Sequence, residues 1–435
     1  MSDSLPPDRP ATDTTLTSPR QRRIAIALLL VGAVCAGMGQ TIVFSVLPPL
    51  AREIGLSNLQ VGVIFMISAS AWVVCGPRWG RLSDRRGRKP FILIGLLGFS
   101  VSTVLFGASV QLGLAGVLSG LPLYLLMIAM RSLYGFIGSA SPPAAQAYIA
   151  DRTSKRDRTA GIASFSAAFG FGAMLGPGFG AAATALGPTA PFFAVAAVAA
   201  IMSAAIYVYL PERTGPTKRN LPSKVRLTDR RLTPFFLFAL SFGIINAIPI
   251  QTIAFYFIDR LGYSTAAATG YVSIGLTAGA ISSLSAQLIV VQRFRVTPAR
   301  LMRTAPGLMA IGQFLIFSSD QLWPVVIGMA LSGFGAGLAI PAATSAASLA
   351  VNADEQGGAI GLASSAGASG FILSPLLGFT LYDISPAVPF MFTAGASVIL
   401  LGYAWISRKV GSAIPPLTED VPDEAISEPA AAPYQ

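Results

Sequence analysis

The chain has 435 residues, contains no histidine and has only two cysteines. The missing histidine excludes Ser-His and Cys-His nucleophile systems and histidine phosphorelays. Cys35 and Cys75 both lie in apolar stretches and are too few to build a disulfide framework or a zinc site. Charged residues make up 11% of the chain, compared with about 25% in an average soluble protein. The composition therefore indicates a protein whose main solvent is not water.

Nucleotide-binding loops and metal-ligand clusters are also absent from the sequence. We therefore expect no enzymatic activity, no cofactor and no bound metal. The net charge of +11 would suit a nucleic-acid partner, but the basic residues stand between long apolar runs instead of covering one polar face. The sequence thus predicts no nucleic-acid binding.

Hydrophobic residues are abundant, at 53% of the chain. A helix needs about 20 apolar residues to cross the hydrocarbon core of a bilayer. Twelve stretches meet this requirement, at residues 24–47, 59–79, 91–110, 121–149, 159–183, 191–210, 233–257, 266–290, 302–318, 322–350, 358–382 and 387–407. The sequence therefore predicts twelve transmembrane helices.

The basic residues concentrate on one side of the predicted membrane. If the N-terminus is cytoplasmic, 27 of the 30 Lys and Arg residues lie on the cytoplasmic side, with only Arg52 and Arg260 in outer loops. Because Lys and Arg are disfavoured on the translocated side, we expect both termini in the cytoplasm, with the chain in a bacterial-type inner membrane. The N-terminal tail, 1–23, and the acidic C-terminal tail, 408–435, have the composition of disordered segments.

The chain repeats itself at half its length. Adding 198 to a residue number relates spans four and five to spans ten and eleven without a gap, as in the pairs Leu133 and Leu331, Gly135 and Gly333, Phe136 and Phe334, Gly172 and Gly370, Pro177 and Pro375, and Gly180 and Gly378. Residues 211–232 hold seven Lys and Arg residues and no apolar span, which indicates a cytosolic linker. We predict an all-α membrane protein of two pseudo-symmetric six-helix bundles, 24–210 and 233–407, with a cavity between them for alternating access.

Three motifs carry a family resemblance. The segment between spans two and three reads Gly80-Arg-Leu-Ser-Asp84-Arg85-Arg-Gly87-Arg88-Lys89. Span four contains Arg131-x-x-Tyr134-Gly135, and span five contains Gly172-x-x-x-Gly176-Pro177-x-x-Gly180. The first motif resembles the signature loop of the major facilitator superfamily, and the other two resemble signatures of its twelve-span drug/proton antiporter branch. The resemblance covers residues 24–407 and implies a fold of two six-helix bundles.

The first motif is also a candidate conformational latch. Gly80 and Gly87 would permit a tight turn with unusual dihedrals. Asp84 stands among Arg85, Arg88 and Lys89, and we expect it to pair with a group of the other half in only one conformation. The alternative is that the basic residues only fix the topology and contact anionic lipid headgroups. The equivalent segment of the second half, 291–300, lacks the acid and the glycines, so any latch is one-sided.

The glycines of span five lie on one stripe of a helix, because Gly172, Gly176 and Gly180 recur every four residues. Another helix can pack closely against such a stripe, and Pro177 frees a carbonyl group and bends the helix. Close packing with no further role is the alternative explanation. The resemblance implies that this stretch lies at the interface between the halves and favours export over import.

Arg131 is the only charged residue in the middle of a predicted span. It lies about 15 Å from the outer end of its helix, where burying a charge costs at least about 2.5 to 3.5 kcal/mol. Its repeat partner is Met329, so the symmetry does not require a cation. We expect Arg131 to supply the fixed charge of the cavity and to favour neutral or anionic solutes. The alternative is a structural cation that snorkels or binds backbone carbonyls.

Seven polar or aromatic residues of the spans are further candidates for contact with a solute: Gln40, Phe44, Tyr134, Gln146, Asn246, Gln251 and Tyr256. Ordinary packing or an interhelical hydrogen bond explains each of them equally well.

The sequence as a whole predicts a secondary transporter, most simply an efflux pump for small amphipathic or anionic organic compounds. Protons are a candidate coupling ion, but all nineteen acids fall in tails, loops or span ends, whereas many antiporters of the resembled branch carry a membrane-embedded acid. Alternatives are an exporter of an endogenous metabolite or siderophore, an uncoupled facilitator or an importer. A receptor or a membrane enzyme without transport represents a different class. We expect a monomer that contacts membrane lipid.

Overall fold

The computed structural model describes residues 19–152, 158–211, 229–294, 296–352 and 355–411. These residues form α-helices joined by short turns and contain no β-strand. The helices are α1 (Pro19–Glu53), α2 (Asn58–Arg86), α3 (Lys89–Leu114), α4 (Gly120–Phe136), α5 (Ser141–Asp151), α6 (Arg158–Ala183), α7 (Ala190–Tyr209), α8 (Thr233–Asp259), α9 (Thr265–Ser285), α10 (Pro298–Phe317), α11 (Leu322–Leu349), α12 (Gln356–Ile384), α13 (Val388–Ile406) and α14 (Arg408–Gly411).

The predicted spans correspond to these helices one by one. A 3₁₀ turn, Gly138–Ala140, joins α4 and α5 into one span, and a π-helical segment, Ala286–Arg293, extends α9. Among the described residues, eleven spans are long and apolar enough to cross a membrane. The one remaining predicted span, α10, has Arg300 and Arg303 in its first two turns, and these residues shorten its apolar part. The all-α fold of twelve apolar helices is therefore confirmed, with one span shorter than the others.

The helices α1 and α2 extend furthest beyond their predicted spans. The helix α1 continues through Pro48 and Pro49 and ends just before Gly55, whose φ of 77° is unfavourable for other residues. The helix α2 continues to Arg86 and ends at Gly87, where φ is 96°. Gly80 therefore lies inside α2 with helical dihedrals, and only Gly87 has the unusual backbone conformation that was expected of both glycines.

The helices pack into two groups. In the first half, α1 packs against α6 and α7, and α3 packs against α4 and α7. In the second half, α8 packs against α12, and α11 packs against α9 and α10. The pairs α1–α6 and α8–α12 occupy equivalent positions in the internal repeat. Most of the predicted linker and tails, at residues 1–18, 212–228 and 412–435, lies outside the described residues.

The two ends of the helical assembly differ in charge. The basic end carries the start of α1, the α2–α3 turn and the starts of α8 and α10. The far end carries the α1–α2 turn and the turns that follow α8, α10 and α12. The helix pairs α2–α12 and α6–α9 join the two bundles. A space between the bundles can therefore open toward either end, depending on where these pairs are in contact.

Candidate functional site

A cavity of about 240 Å³ lies between the two bundles. Asn246, which lines it, stands at the middle of the 27-residue helix α8, so the cavity is near the centre of the helical assembly. Of the 20 residues that line the cavity, 16 belong to the second bundle, so the cavity is asymmetric despite the repeat. The residues from the first bundle are Thr41, Phe44, Ala173 and Pro177.

The wall of the cavity is uncharged. Its polar side chains are few, and they are Thr41, Asn246, Ser283, Gln313 and Ser332. The other lining residues are aliphatic, aromatic, proline or glycine, and glycines of α9 and α11 bring these two helices into backbone contact at Gly279 and Gly333. A wall of this kind suits a mostly apolar solute that needs only a few hydrogen bonds.

Polar contacts join the two bundles at the far end. The guanidinium group of Arg52, on α1, forms an ion pair with Asp259 at the end of α8, with an Nη2 to Oδ2 distance of 2.6 Å. The same carboxylate oxygen accepts a hydrogen bond of 2.7 Å from the hydroxyl group of Tyr382 on α12. The hydroxyl group of Thr265 on α9 donates a 2.7 Å hydrogen bond to Glu53. The ion pair of Arg52 with Asp259 and the hydrogen bond of Thr265 to Glu53 join the two bundles, so both would have to break before the far end could open.

Apolar contacts close the same end. The ring of Phe379, on α12, is fully buried against α2 at Gly62, which has no side chain in its way. Phe44 and Phe371 come from different bundles, and their ring centroids are 6.2 Å apart. The guanidinium group of Arg52 lies over the ring of Phe255, 5.3 Å from its centroid. The far end is therefore sealed by packed side chains as well as by charge.

The basic end differs from the far end in the described part of the chain. Between pairs of described residues, every hydrogen bond and ion pair that joins the two bundles lies at the far end. Two ion pairs at the basic end each stay within one bundle. Arg88 Nε pairs with Asp151 Oδ2 at 3.2 Å in the first bundle, and Arg231 Nη1 pairs with Glu355 Oε2 at 3.1 Å in the second. Among the described residues, the polar bridges between the bundles therefore close the far end of the cavity and not the basic end.

Arg131 lies inside the first bundle and is not among the residues that line the cavity. Its side chain is buried, and its guanidinium carbon stands 4.5 Å from the ring centroid of Tyr134. The hydroxyl group of Tyr134 donates a 3.0 Å hydrogen bond to Gln40, next to the lining residue Thr41. Arg131 Nε has no hydrogen-bond partner, and no described carboxylate forms an ion pair with it. The predicted cavity charge is therefore a buried cation behind the cavity wall.

The basic-end motif is mostly helical. Arg88 Nη1 donates a 2.9 Å hydrogen bond to Ser83, so Arg88 ties α2 to Asp151 at the end of α5. The ammonium group of Lys89 stands 5.6 Å from the ring centroid of Tyr207, and Arg85 is exposed. The side chain of Asp84 lies outside the described part of the structure, so the expected pairing of this acid stays a prediction.

The glycine stripe of α6 faces α1 of the same bundle. A Cβ atom on Gly172 would collide with the carbonyl group of Val34, and one on Gly176 would collide with Thr41 and Met38. Gly180 packs against Ile42. The glycine stripe therefore packs against a helix of its own bundle, and the expectation that it faces the other half is wrong. The contact with the other half uses other residues of α6, such as Gly178 near Thr277 on α9. Pro177 lines the cavity.

Of the remaining candidate solute-contact residues, some line the cavity and others do not. Phe44 and Asn246 line the cavity. Gln251 Nε2 donates a 2.8 Å hydrogen bond to Ser374 within the second bundle, and the hydroxyl group of Tyr256 donates to the carbonyl oxygens of Ile316 and Ser319. Gln146 is partly buried on α5 and does not line the cavity. The α9 and α11 part of the wall was missed, although Met329, the repeat partner of Arg131, belongs to it.

Three charged residues at the basic end, Asp229, Arg231 and Glu355, form a cluster of ion pairs. Arg231 bridges Asp229 and Glu355, with Nη2 2.8 Å from Asp229 Oδ2. Hydrogen bonds from the Arg231 guanidinium lower the pKa of the Asp229 carboxyl below its ordinary value. The same group lowers the pKa of Glu355. The cluster joins the turn before α8 to the start of α12.

Two helical bundles around a central cavity are the architecture of a class of secondary membrane transporters. The family model of the Major Facilitator Superfamily matches residues 29–305 and 289–430. The chain belongs to this superfamily, whose members are transporters and not enzymes, and the resemblance seen in the sequence is confirmed.

Similar proteins include two resistance proteins. The chain is 28% identical over 391 residues to multidrug resistance protein 1 of Bacillus subtilis, which covers 88% of this chain and 97% of the relative. It is 28% identical over 381 residues to the class B tetracycline resistance protein of Escherichia coli, covering 83% and 88% of the two chains. A bacterial homologue of the human lysosomal transporter Spinster, solved in an inward-facing and unoccupied conformation, superposes with a TM-score of 0.71 at 14% identity, covering 92% and 100% of the chains.

Proposed function

We propose that the protein exports small, mostly apolar organic compounds from the cytoplasm by alternating access. The observation that carries this proposal is the uncharged cavity between the bundles, whose polar bridges between described residues all lie at the far end. The relatives named for multidrug and tetracycline resistance support an efflux role. Export of an endogenous metabolite or siderophore uses the same geometry and differs only in the solute.

The direction of export depends on the orientation of the chain. By the order of the spans in the sequence, 27 of the 30 Lys and Arg residues fall in segments on the same side of the membrane as the basic end, so the positive-inside rule assigns that side to the cytoplasm together with both termini. With that orientation, the end without a described bridge faces the cytoplasm, and we expect solute to enter there. Opening of the far end then releases the solute outside a bacterial inner membrane. A single chain holds both bundles and the cavity, so the proposed transport unit is a monomer.

Proton coupling would work without an acid in the cavity wall. The lining residues include no Asp, Glu, Lys or Arg, so a coupling proton would have to bind at an end of the molecule, with the solute, or near Arg131. An uncoupled facilitator is the alternative. Anionic solutes are a second candidate class of substrate. The observation that favours them is the buried cation Arg131, whose Nε has no hydrogen-bond partner.

Uptake of radiolabelled chloramphenicol, an uncharged amphipathic compound, into inside-out membrane vesicles tests the proposal. We expect uptake above that of vesicles without the protein, and an increase when a pH gradient, acidic inside the vesicle, is imposed. Equal uptake with and without the gradient would favour the facilitator. No uptake above the background for chloramphenicol or for an anionic test compound would contradict an export role.

The basic-end motif is proposed to act as a conformational latch that also contacts anionic lipid headgroups. Arg88 already links α2 to Asp151, so a further contact of Asp84 would connect this network to the other bundle in one conformation. Asp84→Asn should leave the protein folded and strongly reduce transport, whereas Arg86→Ala should have a smaller effect. Normal transport by Asp84→Asn at equal expression would contradict the latch.

A further inference from the structure

The polar groups of the cavity wall are not equally available to a solute. Thr41 Oγ1 donates to the carbonyl oxygen of Ala173 at 3.0 Å. Gln313 Nε2 donates to Ser332 at 2.9 Å, and Ser283 accepts a hydrogen bond from Gln287. Each of these side chains therefore already has a partner within the protein.

Asn246 is the exception among the described lining residues. Its side chain makes no hydrogen bond to any described residue, and it is only partly buried at the middle of α8. A carboxamide offers two donor hydrogens and an acceptor oxygen. In an apolar cavity an unpaired carboxamide is unfavourable, so water or a polar group of the solute has to satisfy it.

The surroundings of Asn246 specify the rest of the solute. Pro249, Ile250 and Ile253 follow it on the same helix and line the same cavity, and Phe44 adds an aromatic ring from the first bundle. No charged side chain lines the cavity, so an ionised solute would lose its hydration without gaining a counter-charge. Arg131 is not part of this wall and is stacked on Tyr134.

We propose that Asn246 is the residue that selects substrates, and that the cavity takes uncharged compounds with a hydrogen-bonding group on a mostly apolar, preferably aromatic body. The carboxamide of Asn246 binds that hydrogen-bonding group, and the apolar wall holds the body. This inference rests on the proposed function because it concerns the same cavity, but it concerns selection and not the direction of transport.

Three compounds of nearly the same shape test the selection. N-phenyl-1-naphthylamine is uncharged and has one N–H group, 1-phenylnaphthalene lacks this group, and 8-anilino-1-naphthalenesulfonate adds a sulfonate. Equilibrium binding is measured on the full-length protein in lipid nanodiscs, with empty nanodiscs subtracted. The wild-type protein should bind the naphthylamine about tenfold more tightly than either of the other two compounds, as expected for one buried hydrogen bond.

The variant Asn246→Leu should bind the naphthylamine and phenylnaphthalene with equal affinity and leave phenylnaphthalene binding unchanged or tighter. The control Gln251→Leu changes a buried amide on the same helix that lies outside the cavity, and it should preserve the tenfold preference. Asn246→Asp should weaken binding of the sulfonate further.

A preference for the naphthylamine that survives in Asn246→Leu would overturn the selection by Asn246 and leave the proposed export intact. Tighter binding of the sulfonate than of the naphthylamine would also overturn it and would favour a role for Arg131. Failure of the wild-type protein to bind any of the three compounds would overturn both this inference and the proposed function.

Discussion

The ring of Phe379 on α12 fills the space beside Gly62 on α2, so that a Cβ atom at Gly62 would lie 2.5 Å from the ring. The two residues belong to different bundles, and their contact closes the far end of the cavity. A close-packed contact of this kind between bundles has to separate if the far end opens. The pair therefore couples a single glycine to the conformational equilibrium of the whole transporter.

The change Gly62→Val should shift the protein toward the state that is open at the far end. The added side chain overlaps the Phe379 ring, and overpacking of this kind costs roughly 1 to 3 kcal/mol. Spin labels at Leu59 and Ala266, both in exposed positions near the far end, report the change as a longer distance in pulsed electron resonance. Cys35 and Cys75 are first replaced by alanine so that only the introduced cysteines are labelled.

Gly76→Val is the matched control for this experiment. Gly76 lies on the same helix, but a Cβ atom there would meet nothing within 4 Å. This variant should keep the wild-type distance. The label pair must first be shown to respond to at least one other variant. If the distance then stays unchanged in Gly62→Val, the claim that Phe379 closes the far end is contradicted.

Loss of the ion pair between Arg52 and Asp259 should weaken the closure less than Gly62→Val does. The side chains of Arg52 and Asp259 are 34% and 25% exposed, and pairs with this much solvent contribute about 0.2 to 1 kcal/mol. Arg52→Gln should therefore raise the population open at the far end by a factor of roughly 1.4 to 5. The same spin-label pair measures it.

Arg260→Gln serves as the control for the ion pair. Arg260 pairs with Asp320 at 2.6 Å at the same end of the molecule, but both residues belong to the second bundle. This change should leave the distance distribution unaltered. A shift as large as that of Arg52→Gln would mean that charge at the far end, and not the contact between bundles, controls opening.

Most of the fold was predictable from the sequence because span length and basic-residue distribution are set by the bilayer. The partner of the glycine stripe was not, since a period of four places Gly172 and Gly176 on one face but does not say which helix packs there. The bridge between Arg52 and Asp259 was also missed. Its signal was present in Arg52, one of the two basic residues in the predicted outer loops.

The candidate site was predictable only in part, for a similar reason. Polarity and aromaticity indicated Phe44 and Asn246, which line the cavity, and equally Gln251 and Tyr256, which form hydrogen bonds between helices. Whether such a residue faces the cavity or a neighbouring helix depends on the rotation of its own helix by a fraction of a turn. Apolar spans carry little periodicity to define that rotation, because the lipid and the protein interior are both apolar.

Gly176→Leu should destabilise the protein more than Gly378→Leu does. A Cβ atom at Gly176 already collides with Thr41 and with the Met38 carbonyl group, whereas one at Gly378 approaches only Ile248, at 3.2 Å, and Thr252. We expect a loss of roughly 1 to 3 kcal/mol or failure to fold for Gly176→Leu, measured as thermal unfolding of the purified protein. Equal unfolding temperatures for the two variants would show that the helices α1 and α6 separate more easily than the packing indicates.

Arg131→Met should fold at least as well as the wild type. The variant copies the repeat partner Met329 and removes a buried cation that has no described acidic partner. If Arg131 acts on anionic solutes from behind the wall, Arg131→Met and Arg131→Ala should abolish their transport, and Arg131→Lys should retain part of it. Transport of the anionic test compound at the parental rate would limit Arg131 to a structural role.

Acidification should weaken the cluster around Arg231. The pKa values of Asp229 and Glu355 are lowered in the folded protein from ordinary values of 3.8 and 4.5, so their stabilising effect is fully present above the ordinary values and is lost as the pH falls below them through the lowered pKa values. The difference in unfolding temperature between the wild type and Arg231→Gln should therefore be small and positive at pH 7 and should shrink as the pH falls below these ordinary values. A difference that is independent of pH would contradict this assignment.

The accessibility of a cysteine at Ser283 tests the central claim most directly. Ser283 lines the cavity on α9, and a membrane-impermeant maleimide reaches it only through an open end. In a background with Cys35 and Cys75 replaced, Ser283→Cys should react in inside-out vesicles, be protected in intact cells, and react more slowly when chloramphenicol is present. Reaction in intact cells and protection in inside-out vesicles would contradict a cavity that opens to the cytoplasm.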